Sequence, residues 1–304
     1  MKDNAGIVWL ASYPRSGNTW LSIFLANLLS VGSEAVDIND VRRRLGDMAI
    51  AADRATFDKI AGIESSELAP DEIDRLRPRI YEAVATATKT PSYIKVHDAY
   101  LLTPAGEPLM SASATRAAVY IVRNPLDVAV SFAFYRGHQD YDFTIKRMAD
   151  PSHVLEFEPS KLSRQLRQRL STWSGHVTSW IDAAGIKCHL MRYEDMVHSP
   201  AETFTAMARF LELPHDAATI GAAIESARFD NLRAAEERRG FVERPAETQR
   251  FFPLWPGRRL ARLSDCRAGG KNRRRPSHGD GTARISRPGR LAEILAMAYN
   301  NQRQ

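Results

Sequence analysis

Apolar residues in this chain fall in short unbroken runs separated by longer stretches of helical spacing. Residues 7–12 (IVWLAS) form one such run, which ends in the turn-forming Tyr13-Pro14-Arg15-Ser16-Gly17. Residues 18–30 then carry apolar positions at helical spacing, so the pattern predicts strand, loop, helix. From 37 to 88 the spacing stays helical and charge-rich, with breaks at Gly62, Pro70 and Pro78, which predicts a helical cap. Residues 92–96 (SYIKV) and 117–122 (AAVYIV) predict the second and third strands, and Pro125 opens a helix at a favoured first-turn position. Helical signal returns over 161–183, and 187–191 (KCHLM) predicts a further strand ahead of helices near 200–211 and 216–226. Strands alternating with helices imply a central parallel sheet flanked by helices on both faces. The chain shows no internal repeat.

Composition changes this picture little. The 304 residues, 44% hydrophobic and 26% charged, suit one large α/β domain or two small ones with a substantial core. The longest apolar run, Trp20 to Leu29, is interrupted by Ser22 and Asn27 and is too short to span a bilayer. The opening Met1-Lys2-Asp3-Asn4 lacks the order of a secretory signal. Cys188 and Cys266 offer neither a disulfide framework nor metal-ligand spacing, so a reducing cytoplasm is the expectation.

Charge needs dissection. Residues 253–290 hold ten Arg and one Lys against Asp265 and Asp280, nine net positive charges, and residues 291–304 balance at zero. Because the whole chain carries +6, residues 1–252 carry three net negative charges. The basic balance belongs to one stretch, and whole-chain charge gives no support for a nucleic-acid partner.

Local chemistry is concentrated in Trp9 to Trp20, WLASYPRSGNTW. A strand that turns tightly and opens a helix presents several unpaired N–H groups to one point, and the helix dipole adds partial positive charge. Phosphate is the natural occupant, with Arg15 adding a full charge and Thr19 a hydroxyl. By geometry alone, an ordinary strand-to-helix turn with an exposed Arg reads the same way. A nucleoside-triphosphate loop, G-x-x-x-x-G-K-[ST], is disfavoured: Ser12 stands at its first Gly and Asn18 at its Lys. The third strand ends in Arg123 rather than a magnesium-holding Asp, so no metal site is suggested.

YPRSGNTW resembles the 5′-phosphosulfate-binding loop of cytosolic-type sulfotransferases, usually written YPKSGTTW. YIVRNPLDVAVSF resembles that family's strand-helix segment, in which an Arg and a Ser eight residues apart bind a 3′-phosphate; here they are Arg123 and Ser131. SYIKVHDAY resembles its K-x-H segment, with Lys95 and His97 on one face of a strand end. MRYEDM places Tyr193 where the family uses an aromatic ring near adenine, and Trp20 and Phe229 fit the remaining adenine contacts. The resemblance runs over about residues 7–252. It implies a P-loop-like three-layer fold and a 3′-phosphoadenosine 5′-phosphosulfate co-substrate held by Arg15, Ser16, Gly17, Asn18, Thr19, Trp20, Arg123, Ser131, Tyr193 and Phe229, with no metal. It further implies in-line transfer of sulfuryl to a small acceptor, with His97 as base and Arg15 and Lys95 stabilising the leaving oxygen. Arg15 replaces the family's usual Lys; a guanidinium stabilises the leaving group without protonating it. Acceptor identity and oligomeric state are not legible. Segments 37–88 and 138–160, with His138, Tyr141 and Phe143, are candidates for the acceptor wall or for plain surface.

The C-terminal stretch departs from the family. Its R-x-G-x-x-G-x-W loop should follow Phe251-Phe252, where this chain reads PLWPGRRLARLSD. Reading Trp255-Pro256 one base later forces a Gly codon, and permitted codons for 253–261 then give Arg-Ser-Gly-Arg-Glu-Gly-Gly-Trp. This reading divides the sequence into a domain over 1–252 and an Arg-rich tail over 253–304 that is expected to be out of frame and not to pack. A genuine basic tail that binds nucleic acid or acidic surfaces is the competing account of the tail, and a non-catalytic nucleotide-binding remnant lacking the C-terminal 3′-phosphate loop is the alternative to a working transferase. Resequencing the gene across codons 245–262 decides between the two accounts of the tail: an extra or missing base is expected, and an intact frame leaves the basic tail.

Overall fold

A computed structural model describes residues 5–30, 34–46, 48–137, 140–155, 162–245, 248 and 250–252. The tail over 253–304 and His138 lie outside the described residues. The chain runs β1 (Ile7–Ser12), α1 (Asn18–Leu28), α2 (Val41–Leu45), α3 (Arg54–Ala61), a 3-10 turn, α4 (Pro70–Ala87), β2 (Ser92–Val96) and β3 (Thr115–Val122). It continues through α5 (Pro125–Tyr135), α6 (Tyr141–Met148), β4 (Val154–Leu155), β5 (Gln168–Arg169), α7 (Trp173–Ile181) and β6 (Cys188–Arg192). Helices α8 (Tyr193–His198), α9 (Pro200–Phe210), α10 (Ala217–Ser226) and α11 (Phe229–Arg239) follow.

The main sheet has the order β2-β1-β3-β6, and every pairing in it is parallel. All six residues of β1 are buried, as a central parallel strand covered on both faces requires. Side chains alternate between two cores. Val8, Leu10, Val119 and Ile121 pack with Phe24 of α1, Phe204 of α9 and Ile220 of α10. Trp9, Ala11, Tyr120 and Val122 pack on the opposite face with Tyr81 of α4, Val128 of α5 and Trp180 of α7. The result is the expected three-layer arrangement. The chain leaves β1 toward β2 on one side and returns to β3 on the other. The carboxyl ends of the strands therefore open a crevice at β1, the usual place for a ligand in such sheets.

Three differences from the pattern reading have physical causes. Pro78 does not break the cap; it lies inside α4, whose buried Ile73, Arg77, Ile80 and Tyr81 hold the helix through the missing N–H. The helix expected over 161–183 begins only at Trp173, where Thr172 Oγ1 accepts from Gly175 N at 2.9 Å. Before it, Arg169 N donates to Asp98 Oδ1 at 2.8 Å and Gln168–Arg169 pairs with β4, so that stretch is extended. Residues 229–239 form a helix with little apolar stripe, held chiefly by Leu232 and the buried Glu236.

Glu236 is a splice. Its carboxylate accepts from the backbone N–H of Phe251 at 2.7 Å and Phe252 at 3.0 Å, which pins the end of the described chain to the domain. A second buried charge orders the end of β2. Arg77 donates to Asp98 Oδ2 at 2.6 Å with both side chains essentially inaccessible, and Asp98 follows His97 directly. Burial acts against the Arg77 charge, yet the Asp98 carboxylate outweighs it and holds Arg77 well above its ordinary value. Arg77→Met is expected to destabilise the fold by about 3–5 kcal/mol, because it strands Asp98 as an unpaired buried charge. Urea denaturation at pH 7 measures this, and an unchanged midpoint refutes it.

Candidate active site

The loop from β1 to α1 turns through two left-handed residues, Arg15 at φ 67° and Gly17 at φ 108°. Gly17 is the residue before α1 and offers no side-chain cap, so the first N–H groups of the helix face the crevice. A methyl group on Gly17 would lie 2.6 Å from Tyr193 Cδ2, so glycine is required here by both backbone and ring. Asn18 turns inward: its Nδ2 donates to Leu10 O at 2.7 Å and Ser12 Oγ at 3.2 Å, bracing the loop rather than facing the crevice with its amide.

The crevice is a cleft of about 990 Å³. Its β3 side gathers the two motifs. Arg15 Nε donates to Ser131 Oγ at 3.2 Å, and the Arg15 guanidinium lies 4.6 Å from the Tyr135 ring and 4.8 Å from the Phe251 ring. Arg123 Nη1 donates to Arg15 O at 2.9 Å and stacks 4.2 Å from the Tyr193 ring. Burial lowers Arg15 to about 10, which leaves it cationic at neutral pH. Among the described residues neither Arg15 nor Arg123 has a carboxylate within ion-pair distance. Arg123 Nε and Ser16 Oγ are buried without a protein partner. Buried cations and donors left in this state fit an anionic group. Next to them, Trp20 lies 6.1 Å from Tyr193 and 4.9 Å from Phe229, and all three rings line the cleft. Trp20 is held by its Nε1–H, which donates to Ala227 O at 2.9 Å.

On the β2 side Lys95 and His97 both line the cleft, as alternation along a strand requires. His97 Nδ1 lies 2.8 Å from Ser12 O. A carbonyl oxygen only accepts, so Nδ1 carries the proton and Nε2 keeps its lone pair. Burial, followed by the charge of Lys95, lowers His97 to about 3, so the ring is neutral at physiological pH. His176 fixes the backbone behind it, its Nε2–H donating to His97 O at 2.9 Å while its Nδ1 accepts from Tyr120 OH at 2.9 Å. Lys95 Nζ donates to Thr19 Oγ1 at 3.1 Å and to Glu243 Oε2 at 2.9 Å. Every predicted site residue except Ser16 lines the cleft; Ser16 is buried beneath it. Tyr141 and Phe143 lie on α6 and, among the described residues, do not line the cleft.

The sulfotransferase-domain family profile matches residues 6–247. The chain belongs to the sulfotransferase family. Among related proteins, mouse sulfotransferase 1E1 is 23% identical to this chain over 226 residues, which are 74% of this chain and 65% of that protein. Mouse sulfotransferase SULT7A1, solved with PAP, is 16% identical, with 88% of this chain and 86% of that chain covered and a TM-score of 0.45. Retinol dehydratase, solved with androsterone and PAP, is 16% identical over 89% of this chain and 82% of that chain, with a TM-score of 0.48. Among the described residues no helix is long and apolar enough to cross a membrane, and no group of His, Cys, Asp or Glu is placed to hold a metal ion.

Residues outside the family's motifs complete the site. Tyr135 and Phe251 sandwich Arg15, Glu243 meets Lys95, and Asp98, Arg77 and His176 fix the strand end under His97. Only Asp98 carried a hint in the sequence, by standing next to His97.

Two buried histidines, His153 and His176, and two half-buried ones, His97 and His189, make the fold acid-sensitive. Burial lowers His97 to about 3 and His153, His176 and His189 to about 4, against an ordinary 6.5. Between those values the unfolded chain binds protons that the native protein does not, so stability falls as pH drops through 6.5 toward 4. Urea midpoints are expected to be lower at pH 5 than at pH 7.5, and equal midpoints would contradict the buried neutral state.

Proposed function

We propose that this sulfotransferase moves the sulfuryl group of 3′-phosphoadenosine 5′-phosphosulfate to a hydroxyl or amine of a small-molecule acceptor. The observation that carries this is a neutral imidazole, His97, set with its Nε2 unprotonated beside Lys95 in a cleft whose other side holds Arg15, Ser131 and Arg123. In this reading Arg123 and Ser131 hold the 3′-phosphate end of the donor, and Arg15, Ser16, Gly17, Asn18 and Thr19 supply the loop that receives its 5′-phosphosulfate. Trp20, Tyr193 and Phe229 bracket adenine. The donor supplies the transferable sulfuryl group.

His97 takes the acceptor proton at Nε2. The Ser12 carbonyl steadies the charge that then develops on the ring by accepting from Nδ1–H. Lys95 and Arg15 stabilise charge on the departing oxygen. A ring held at about 3 is a weak base, because burial and Lys95 oppose its protonation. Anionic charge placed against Lys95 relieves part of that opposition and strengthens the base where the reaction needs it. No carboxylate or metal ion is required for these roles.

The domain boundary at residue 252 and the change of reading frame after it belong to this proposal. A sulfotransferase without its C-terminal loop keeps the Arg15–Ser131–Arg123 cluster and loses one layer of closure over it. A cytoplasmic setting, where the thiol of Cys188 stays reduced, fits this reading.

His97→Ala is expected to lower sulfuryl transfer to a panel of phenols, sugars and amines by about a hundredfold or more. Affinity for 3′,5′-adenosine bisphosphate, measured by calorimetry, should stay within about twofold of the parent. Equal losses of binding and turnover would remove His97 from the role of base.

A further inference from the structure

One of the carboxylates that line the cleft, Glu243, bonds directly to the donors beside the loop. Glu243 follows α11, lines the cleft, and brings its Oε2 to 3.0 Å from Thr19 Oγ1 and 2.9 Å from Lys95 Nζ. Lys95 Nζ and Thr19 Oγ1 are themselves 3.1 Å apart, so the three groups close a triangle. The Lys95 side chain is 14% exposed and that of Glu243 32%, which makes the pair a partly desolvated one at the cleft wall. Burial raises Glu243, but the Lys95 charge and the hydrogen bonds from Lys95 and Thr19 outweigh it, and the group stays ionised.

Thr19 belongs to the first turn of α1 and Lys95 to the end of β2, so both donors converge on the point where the loop N–H groups also face. A carboxylate oxygen there makes the bonds that a phosphate or sulfuryl oxygen would make. Glu243 and an anionic ligand therefore compete for the same two donors. If both remained, like charges would stand at contact distance, a repulsion of several-fold in affinity even with solvent screening. We propose that Glu243 is a displaceable counter-anion of the donor site. It neutralises Lys95 and occupies Thr19, and it yields both when the charged group of the donor binds, so donor binding and product release are each an exchange of one anion for another. This rests on the reading that the Thr19–Lys95 corner receives the 5′ end of the donor.

The exchange has an unusual sign: removing a side chain from the site strengthens binding. Glu243→Gln keeps an acceptor for Lys95 and Thr19 and removes the charge. Calorimetry on the full chain, with 3′,5′-adenosine bisphosphate and separately with inorganic sulfate, is expected to show about tenfold tighter binding of both in Glu243→Gln. Glu243→Asp retracts the carboxylate by one methylene and should fall between the two, and thermal melts of each variant establish that it is folded. Affinities in Glu243→Gln that equal or fall below the parent's overturn the proposal, since a purely structural carboxylate weakens binding when removed. Should neither protein distinguish the bisphosphate from AMP, the donor reading fails, and the sulfate arm alone then decides whether Glu243 is exchanged.

Discussion

Positive charge held away from water is the constraint around which this domain is arranged. Removing a cation from solvent is costly unless something replaces the lost hydration, and the chain solves that problem differently at each place. Arg77 receives a complete answer from Asp98 and Tyr81, and it becomes a structural strut. Lys95 receives a partial one from Glu243. Arg15 and Arg123 receive aromatic faces, a hydroxyl and one backbone carbonyl, but no carboxylate among the described residues. The gradient from paired to unpaired cations runs from the core into the cleft.

The sheet topology makes this gradient useful. Because β1 lies between β2 and β3, its loop separates two groups of cleft side chains that never share a strand. Arg123 and Tyr193 line the cleft on the β3 and β6 side, and Lys95 and His97 line it on the β2 side. The Ser12 carbonyl joins the halves by fixing the tautomer of His97 from the end of β1 itself. A shift of that strand end would therefore disturb both the loop and the His97 ring. This explains why its six residues are buried throughout and why Asn18 is turned back to tie the helix start to Leu10 and Ser12.

Much of the fold was legible from the sequence because its signals are local. The strands at Ile7–Ser12 and Ser92–Val96 follow from apolar runs bounded by turn residues, and they match the observed elements residue for residue. The helix starts at Asn18 and Pro125 follow from loop chemistry and from proline's fixed φ. Where local signal and tertiary context disagreed, context prevailed. Pro78 stays helical because the face it belongs to is buried, and residues before Trp173 stay extended because Asp98 and β4 take up their backbone.

By itself the sequence determined the loop between β1 and α1, the Arg123–Ser131 spacing and the Lys95–His97 alternation, because each is contained within one element or one turn. Only the tertiary structure decided that Arg15 reaches Ser131 across 116 positions, that Lys95 meets Glu243 across 148, and that Arg77 closes on Asp98 behind the base. Those pairings carry no periodicity and no fixed spacing. They exist because a parallel sheet brings the carboxyl ends of distant strands to one edge, where buried charges must find partners in whatever the fold delivers there.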